Sequence, residues 1–450
     1  MKNLNKSYSQ INHLSVTLFH YFYQKQQGFS LHMKILLKNA TIIDSSNSLH
    51  CKSVSILIEN GFITKIEKNI NTKADVLIDN KNMHVSRGWW DPSVSFGEPG
   101  YEERETLENG LTTAAKSGFT SIGLNPDLNP VTDNHGAVNF LINKCKGHTT
   151  SIYPNGCLTE SSLGKQMASL NDMKEAGAII FGDHKSSIEN PDLLKIALEY
   201  SQSFNGIISS YPLDERISLD GIMNEGATST KLGLKGYGTY AESTRVFRDI
   251  KILEYTGGRL HFPLITTKDS VNLIENAKKM GLNVTCSTSL PHLLFTDNEL
   301  ENFDSKFKFF PPLRTIEDRS ALRQGLLSGT IDCVTAMHEP KNIEIKDLDF
   351  YSAADGSIAL ESFFPILNTI FPMEKTIQFL TRGKSIFDVS DSKIEIGSYA
   401  NITMFNPDVK RVFNEKNILS TSKNCSYINI EIKGEVIGSL NNGVLSLNES

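Results

Sequence analysis

The apolar positions change rhythm twice along the chain. From Met33 onward, short alternating runs predict strands at Lys34–Lys38 and Thr41–Asp44, then Val54–Glu59 and Phe62–Lys68. The last two are joined by Asn60-Gly61, a dipeptide suited to the two positive φ angles of a tight hairpin. Residues 392–448 repeat this style with Ile402–Asn406, Ile428–Lys433 and Glu435–Leu440, and Asn441-Asn442-Gly443 turns the chain into Val444–Leu447. Between about 88 and 390 the pattern differs. Apolar strand-like runs (Thr120–Leu124, Ala178–Phe181, Gly206–Ser210, Leu260–Ile265, Asn283–Cys286, Ile331–Ala336) alternate with helical periods such as Asp269–Met280 and Ser320–Leu327. Alternation over that length predicts parallel β/α units closed into a (β/α)8 TIM-type barrel at 88–390. The β-rich ends, 33–87 and 391–450, are expected to form a small β-sandwich beside it. Residues 1–32 are polar, rich in Gln and Asn and without a helical period, so they read as a disordered extension, with Met33 an alternative start. Their apolar stretch Leu14–Phe22 is cut by His20 and lacks a small-residue cleavage site, which argues against a signal peptide.

Composition narrows the function classes. The 450 residues are 39% apolar, 21% charged and 9% aromatic, the ordinary range of a globular protein. With 51 acidic against 45 basic residues and a net charge of −6, a general nucleic-acid surface is not expected. No run of about 18 apolar residues is present, so no membrane span is expected. The six cysteines (Cys51, Cys145, Cys157, Cys286, Cys333, Cys425) form no CxxC pair. They read as reduced core residues of a cytoplasmic protein, not as thiolate ligands of structural zinc.

Several strings carry more than pattern. Arg87-Gly88-Trp89-Trp90-Asp91 followed by Phe96-Gly97-Glu98-Pro99-Gly100 resembles PGFID…FREPG, and Asn129-Pro130-Val131-Thr132-Asp133-Asn134 resembles NPVTDN. Gly221-Ile222-Met223-Asn224-Glu225-Gly226 resembles GVMNEG, and Pro311-Pro312-Leu313-Arg314 with Glu317-Asp318-Arg319 resembles PPLR…EDR. Gly329-Thr330-Ile331-Asp332 and Gly397-Ser398-Tyr399-Ala400-Asn401 complete the series. In this order, from Met33 to the C-terminus, they resemble the dihydroorotase family of cyclic amidohydrolases. The resemblance implies a metal-dependent hydrolase barrel with a β-sandwich. It also implies two divalent metals that lower the pKa of a bound water towards about 7, and an aspartate that moves the proton.

The positions that the resemblance assigns to this chemistry are occupied by other residues. Where the family has D-x-H-x-H, this chain has Asp91-Pro92-Ser93-Val94-Ser95. Alternate strand residues share a face, so both imidazoles are replaced by hydroxyls, which are poor zinc ligands. The third histidine position falls on Tyr211 and the fourth on Leu264. By period two His261 is expected to face away from Leu264. The bridging carboxylate Asp183 is retained, in Phe181-Gly182-Asp183-His184-Lys185. The catalytic-base position is Met337, beside His338, which matches a family substrate contact. The substrate-binding positions carry Gly97, Asp127 and Phe310 instead of arginine and asparagines. His292 matches the second histidine of a PHHL string and reads as a packing residue.

These substitutions lead to a vestigial pocket with no catalytic residue and no metal. The first functional expectation is a non-catalytic dihydroorotase-like partner or scaffold, by family analogy of aspartate transcarbamoylase, and a homodimer. The alternatives are an active cyclic-amide hydrolase with a reorganised zinc site, drawing on His184, His292 or His338, and a small-molecule-binding barrel without chemistry. A serine hydrolase built on Ser93, Ser95 and Tyr211 lacks an evident His–carboxylate relay, and the hydroxyls read as volume fillers. Trp89 and Trp90 are expected to split between the barrel interior and the underside of the side domain. Glu102-Glu103-Arg104-Glu105 reads as a solvated helix start.

Overall fold

A computed structural model describes residues 33–217 and 220–449. The segment 1–32, read above as an extension, lies outside the described residues. In the barrel, parallel neighbours run Trp89–Val94, Phe119–Leu124 and Ser151–Pro154, then Ile208–Ser209, Leu260–Phe262, Val284–Ser289 and Cys333–Thr335. The eighth station is Phe181 alone, which bridges Gly156 on one side and Ile208 on the other. Val94 bridges His338 and closes the ring. The strand expected at 178–181 thus shrinks to one pairing residue, because the chain turns at Gly182 and Asp183 bonds back to the preceding loop.

Helix ends follow local chemistry. The helix Lys268–Lys279 starts behind Thr267, whose side chain accepts from the Ser270 amide. Ile316–Ser328 begins four residues before the expected start because Thr315 and Asp318 form a capping box. The acidic run is not a solvated helix start. The helix begins at Leu107 with Thr106 as its cap, and Glu105 is fully buried, accepting from Asn109, Thr421 and the Thr421 amide.

Both chain ends knit into one eight-stranded sheet. His84–Arg87 lies between Lys34–Ile42, to which it is parallel, and Ile402–Val412, to which it is antiparallel. The two strands expected in 34–44 are one strand with an irregularity between Leu37 and Ala40, where Asn39 has φ +54°. The Asn60-Gly61 turn has both φ values positive, +55° and +80°. Trp89 stacks under this sheet against Phe405 and against Phe364 of a barrel helix, while Trp90 packs within the barrel against Tyr153 and Phe387. All six cysteines are free thiols and five are buried, but Cys51 is exposed, so the core reading fails there. No helix among the described residues is long and apolar enough to cross a membrane.

Candidate functional site

The C-terminal ends of the barrel strands surround a narrow cavity of about 50 Å³, room for three or four waters. Of the twelve predicted pocket residues, Ser93, Tyr211, Leu264 and Met337 line it. His184, a candidate for a reorganised zinc site, and His261, expected to face away, line it too, as do Asn125, Asn155, Lys185 and Glu339, which the sequence does not single out. Asn125 and Asn155 directly follow strand ends, a position that faces the mouth of such a barrel and could have flagged them.

Ser93 Oγ donates to Asn125 Oδ1 at 3.0 Å, and Asn125 Nδ2 donates to Ser95 Oγ at 3.1 Å. The two hydroxyls at the former imidazole positions therefore hold one asparagine between them. Asp91 lies beneath, fully buried, and accepts from the amides of Ser93 and Ala336. Burial pushes its carboxyl up to about 7. Asp183 faces away from the cavity, and its two oxygens accept from the Leu158 and Thr159 amides and from Thr159 Oγ1 at 2.6–2.9 Å. Burial raises its pKa too.

His292 is satisfied at both ring nitrogens, whereas His338 is bonded only through Nδ1 and its Nε2 has no hydrogen-bond partner among the described residues. His292 accepts from Ser289 Oγ at 2.7 Å and donates to the carbonyls of Pro311 and Pro312. His338 Nδ1 accepts from the Ala359 and Leu360 amides, which puts its proton on Nε2, edge-on to Phe96. Burial pulls His292 down to about 3 and His338 to about 4, so both are neutral. His261 corrects the period-two expectation. The strand ends at Phe262 and the chain bends at Pro263, so His261 and Leu264 border the same cavity. Its ring is held by Thr285 and Ser287 at 2.8 and 3.0 Å, and burial lowers its pKa to about 3.

Tyr211 stacks on Phe310 with centroids 6.2 Å apart, and its buried hydroxyl finds no partner among the described residues. Burial raises its pKa well above the ordinary value. Met337, at φ +56°, donates its amide to Thr335 Oγ1. Gly97 has no room for a side chain, since a β carbon there would meet the Tyr101 carbonyl oxygen at 1.9 Å. Across the mouth Lys185 Nζ pairs with Glu339 Oε1 at 2.5 Å, and His184 Nε2 stands 3.7 Å from Asp127 Oδ2. Burial lowers His184, more than Asp127 raises it. Burial alone would raise Glu339, but Lys185, Lys341 and His184 outweigh it and its pKa is lowered.

These residues do not fit a divalent metal pair. Leucine and methionine offer no hard ligand, the tyrosine stays protonated, Asp183 is committed elsewhere, and a lysine ammonium stands in the mouth. Among the described residues, no group of three His, Cys or carboxylate side chains converges at the mouth.

In architecture the chain is similar to solved hydantoinases. L-hydantoinase (dihydropyrimidinase) from Arthrobacter aurescens superposes with a TM-score of 0.78 at 18% identity, covering 93% of this chain and 97% of that one. A D-hydantoinase gives 0.76 at 19%, covering 92% and 95%. The fold is therefore that of the amidohydrolases, a TIM barrel with a β-sandwich domain. Sequence narrows this further. Residues 85–270 match the family described as dihydro-orotase-like. A protein named dihydroorotase from Syntrophus aciditrophicus is 36% identical over 420 residues, 91% of this chain and 98% of that protein. Another from Pelobacter propionicus is 32% identical over 416 residues, with the same coverages. The chain belongs to the dihydroorotase family.

Proposed function

We propose that this protein is a dihydroorotase-family member that has lost metal binding and catalysis and serves as a non-catalytic partner in pyrimidine synthesis. On family analogy the partner is aspartate transcarbamoylase, met in the cytoplasm by a homodimer of this chain. The observation that carries the reading is the mouth itself. Ser93, Ser95, Tyr211 and Leu264 stand at the four imidazole positions, Met337 at the base, and a Lys185–Glu339 ion pair lies across the opening. A cation placed there meets an ammonium and no ligand set, and a carboxylate-bearing substrate meets Glu339 with no arginine at Gly97 to hold it.

The test is dihydroorotate turnover in both directions with zinc, manganese or cobalt supplied, together with co-purification and sizing against aspartate transcarbamoylase. No turnover and a stable complex are expected. Chelator-sensitive turnover overturns the loss of catalysis, and an isolated chain under all conditions overturns the partner role. One observation favours a second reading, a binding pocket without chemistry. Tyr211, Asn155 and Glu339 line the cavity, and each carries a buried polar atom (Oη, Oδ1 and Oε2) without a hydrogen-bond partner among the described residues. Thermal shifts across a panel of small pyrimidines and carbamoyl compounds separate it from a pure scaffold.

A further inference from the structure

Away from the barrel mouth, three side chains of different chemistry converge where the side sheet meets the barrel. His50 Nε2 lies 3.4 Å from Cys51 Sγ, Cys51 Sγ lies 3.7 Å from Glu374 Oε1, and His50 Nε2 lies 4.0 Å from the same oxygen. We infer that His50, Cys51 and Glu374 form a binding site for a thiophilic divalent cation, zinc in the first place, that clasps the N-terminal sheet to the barrel.

The distances carry this. A tetrahedral zinc with one sulfur at about 2.3 Å and nitrogen and oxygen at about 2.0–2.2 Å holds its ligand atoms roughly 3.2–3.8 Å from one another. Two of the three observed separations fall in that range and the third, His50 to Glu374 at 4.0 Å, lies just outside it, so the cation enters once those two side chains close slightly. The donor set of imidazole, thiolate and carboxylate is also zinc chemistry. Cys51 and Glu374 are exposed, which leaves the fourth position to water.

The loop that bears two of the ligands is held before any ion arrives. The Cys51 amide donates to the Ile42 carbonyl at 2.8 Å, and the His50 and Lys52 amides donate to Asn47 and Leu49. Asn47 Nδ2 donates to the Ile394 carbonyl at 2.9 Å, tying the loop to the C-terminal part of the chain. Glu374 sits in the first turn of the helix Met373–Thr381. Binding releases the Cys51 thiol proton to solvent and requires the His50 ring proton on Nδ1. That gives up the 3.2 Å contact from the Asp44 amide to Nδ1 and limits the affinity.

The inference is independent of the reading of the mouth, and one set of measurements separates them. The reduced, chelator-stripped full chain is titrated with Co2+, then with Zn2+ against a chromogenic chelator. One cation per chain and a thiolate-to-cobalt charge-transfer band are expected. Cys51→Ser abolishes the band and weakens Zn2+ uptake at least about tenfold, and His50→Gln and Glu374→Gln each weaken it. Zn2+ also slows alkylation of the one exposed thiol in the unmutated chain, a readout that needs no variant. No uptake at micromolar Zn2+, or equal uptake by Cys51→Ser, overturns the clasp. Metal that persists in Cys51→Ser with dihydroorotate turnover overturns the reading of the mouth instead.

Discussion

Two buried polar regions of the same barrel have opposite character. One is built on Arg314. Its Nε donates to Thr266 Oγ1 at 3.0 Å, Nη1 donates to Asn224 Oδ1 and the Tyr237 carbonyl at 3.1 and 3.2 Å, and Nη2 stands 3.8 Å from Glu242. Asn224 passes the chain on to Asp297, and Glu242 accepts from the Thr266 and Thr267 amides and the Thr267 hydroxyl. The other region is the mouth, where Tyr211, Asn155 and Glu339 each leave a buried polar atom without a partner among the described residues. The first network leaves one nitrogen, Arg314 Nη2, without a hydrogen bond among the described residues, but sets it 3.8 Å from the Glu242 carboxylate, so its charge is balanced from within. The second carries three such atoms, all in residues that line a cavity. Two of the strings that announce the family, GIMNEG and PPLR, supply Asn224 and Arg314 to the first network. Recognition of the family therefore rests on residues that hold the fold, and it says nothing about whether the chemistry survives.

The contrast can be broken at either end. The largest effect is expected from Arg314→Met, which strands the Glu242 carboxylate in a fully buried setting. Denaturant unfolding should show a loss of about 3–5 kcal/mol, and a loss below about 1 kcal/mol would remove the distinction between the regions. Next comes pH. Asp91 has a folded pKa near 7, above its unfolded value, so the folded protein binds the extra proton. Its penalty is complete above pH 7 and disappears as pH falls towards 4. Stability measured across that window should decline more steeply on acidification in Asp91→Asn, which lacks the relief; superimposable curves would place the titration elsewhere.

A matched pair of hydroxyl deletions follows. Thr266→Val removes a group bonded to both Arg314 and Glu242 and should destabilise by about 1–3 kcal/mol. Tyr211→Phe removes a hydroxyl without a partner and should change stability by less than about 1 kcal/mol, towards greater stability. Equal losses in the two melting curves would mean that Tyr211 is as well satisfied as Thr266. Gly97→Arg should restore no carboxylate binding by calorimetry, because its β carbon meets the Tyr101 carbonyl.

The scaffold was legible from residues because local rules acted alone. The Asn60-Gly61 hairpin, the run ending at Leu124 and the helix behind Thr267 each declare themselves within a dozen positions. The departures of Ser93, Tyr211, Leu264 and Met337 were legible only through the family resemblance, and all four border the cavity. The ion pair of Lys185 with Glu339 was not, since nothing in either local segment signals a partner on a distant strand. A period of two sends His261 to the wrong face because the strand ends at Phe262 and the chain bends at Pro263 before Leu264. Glu105 was misplaced because its partner Thr421 comes from the far end of the chain.

The single sheet made from both chain ends also sets a timetable. Arg87 pairs with Ile402, about 300 residues later, so the early strands cannot be completed while the barrel is being made. At a synthesis rate of about 5–20 residues per second the nascent sheet stays an open template for roughly 15–60 seconds. During that interval its unpaired edge is the part of the newborn chain most in need of shelter from its neighbours on the ribosome.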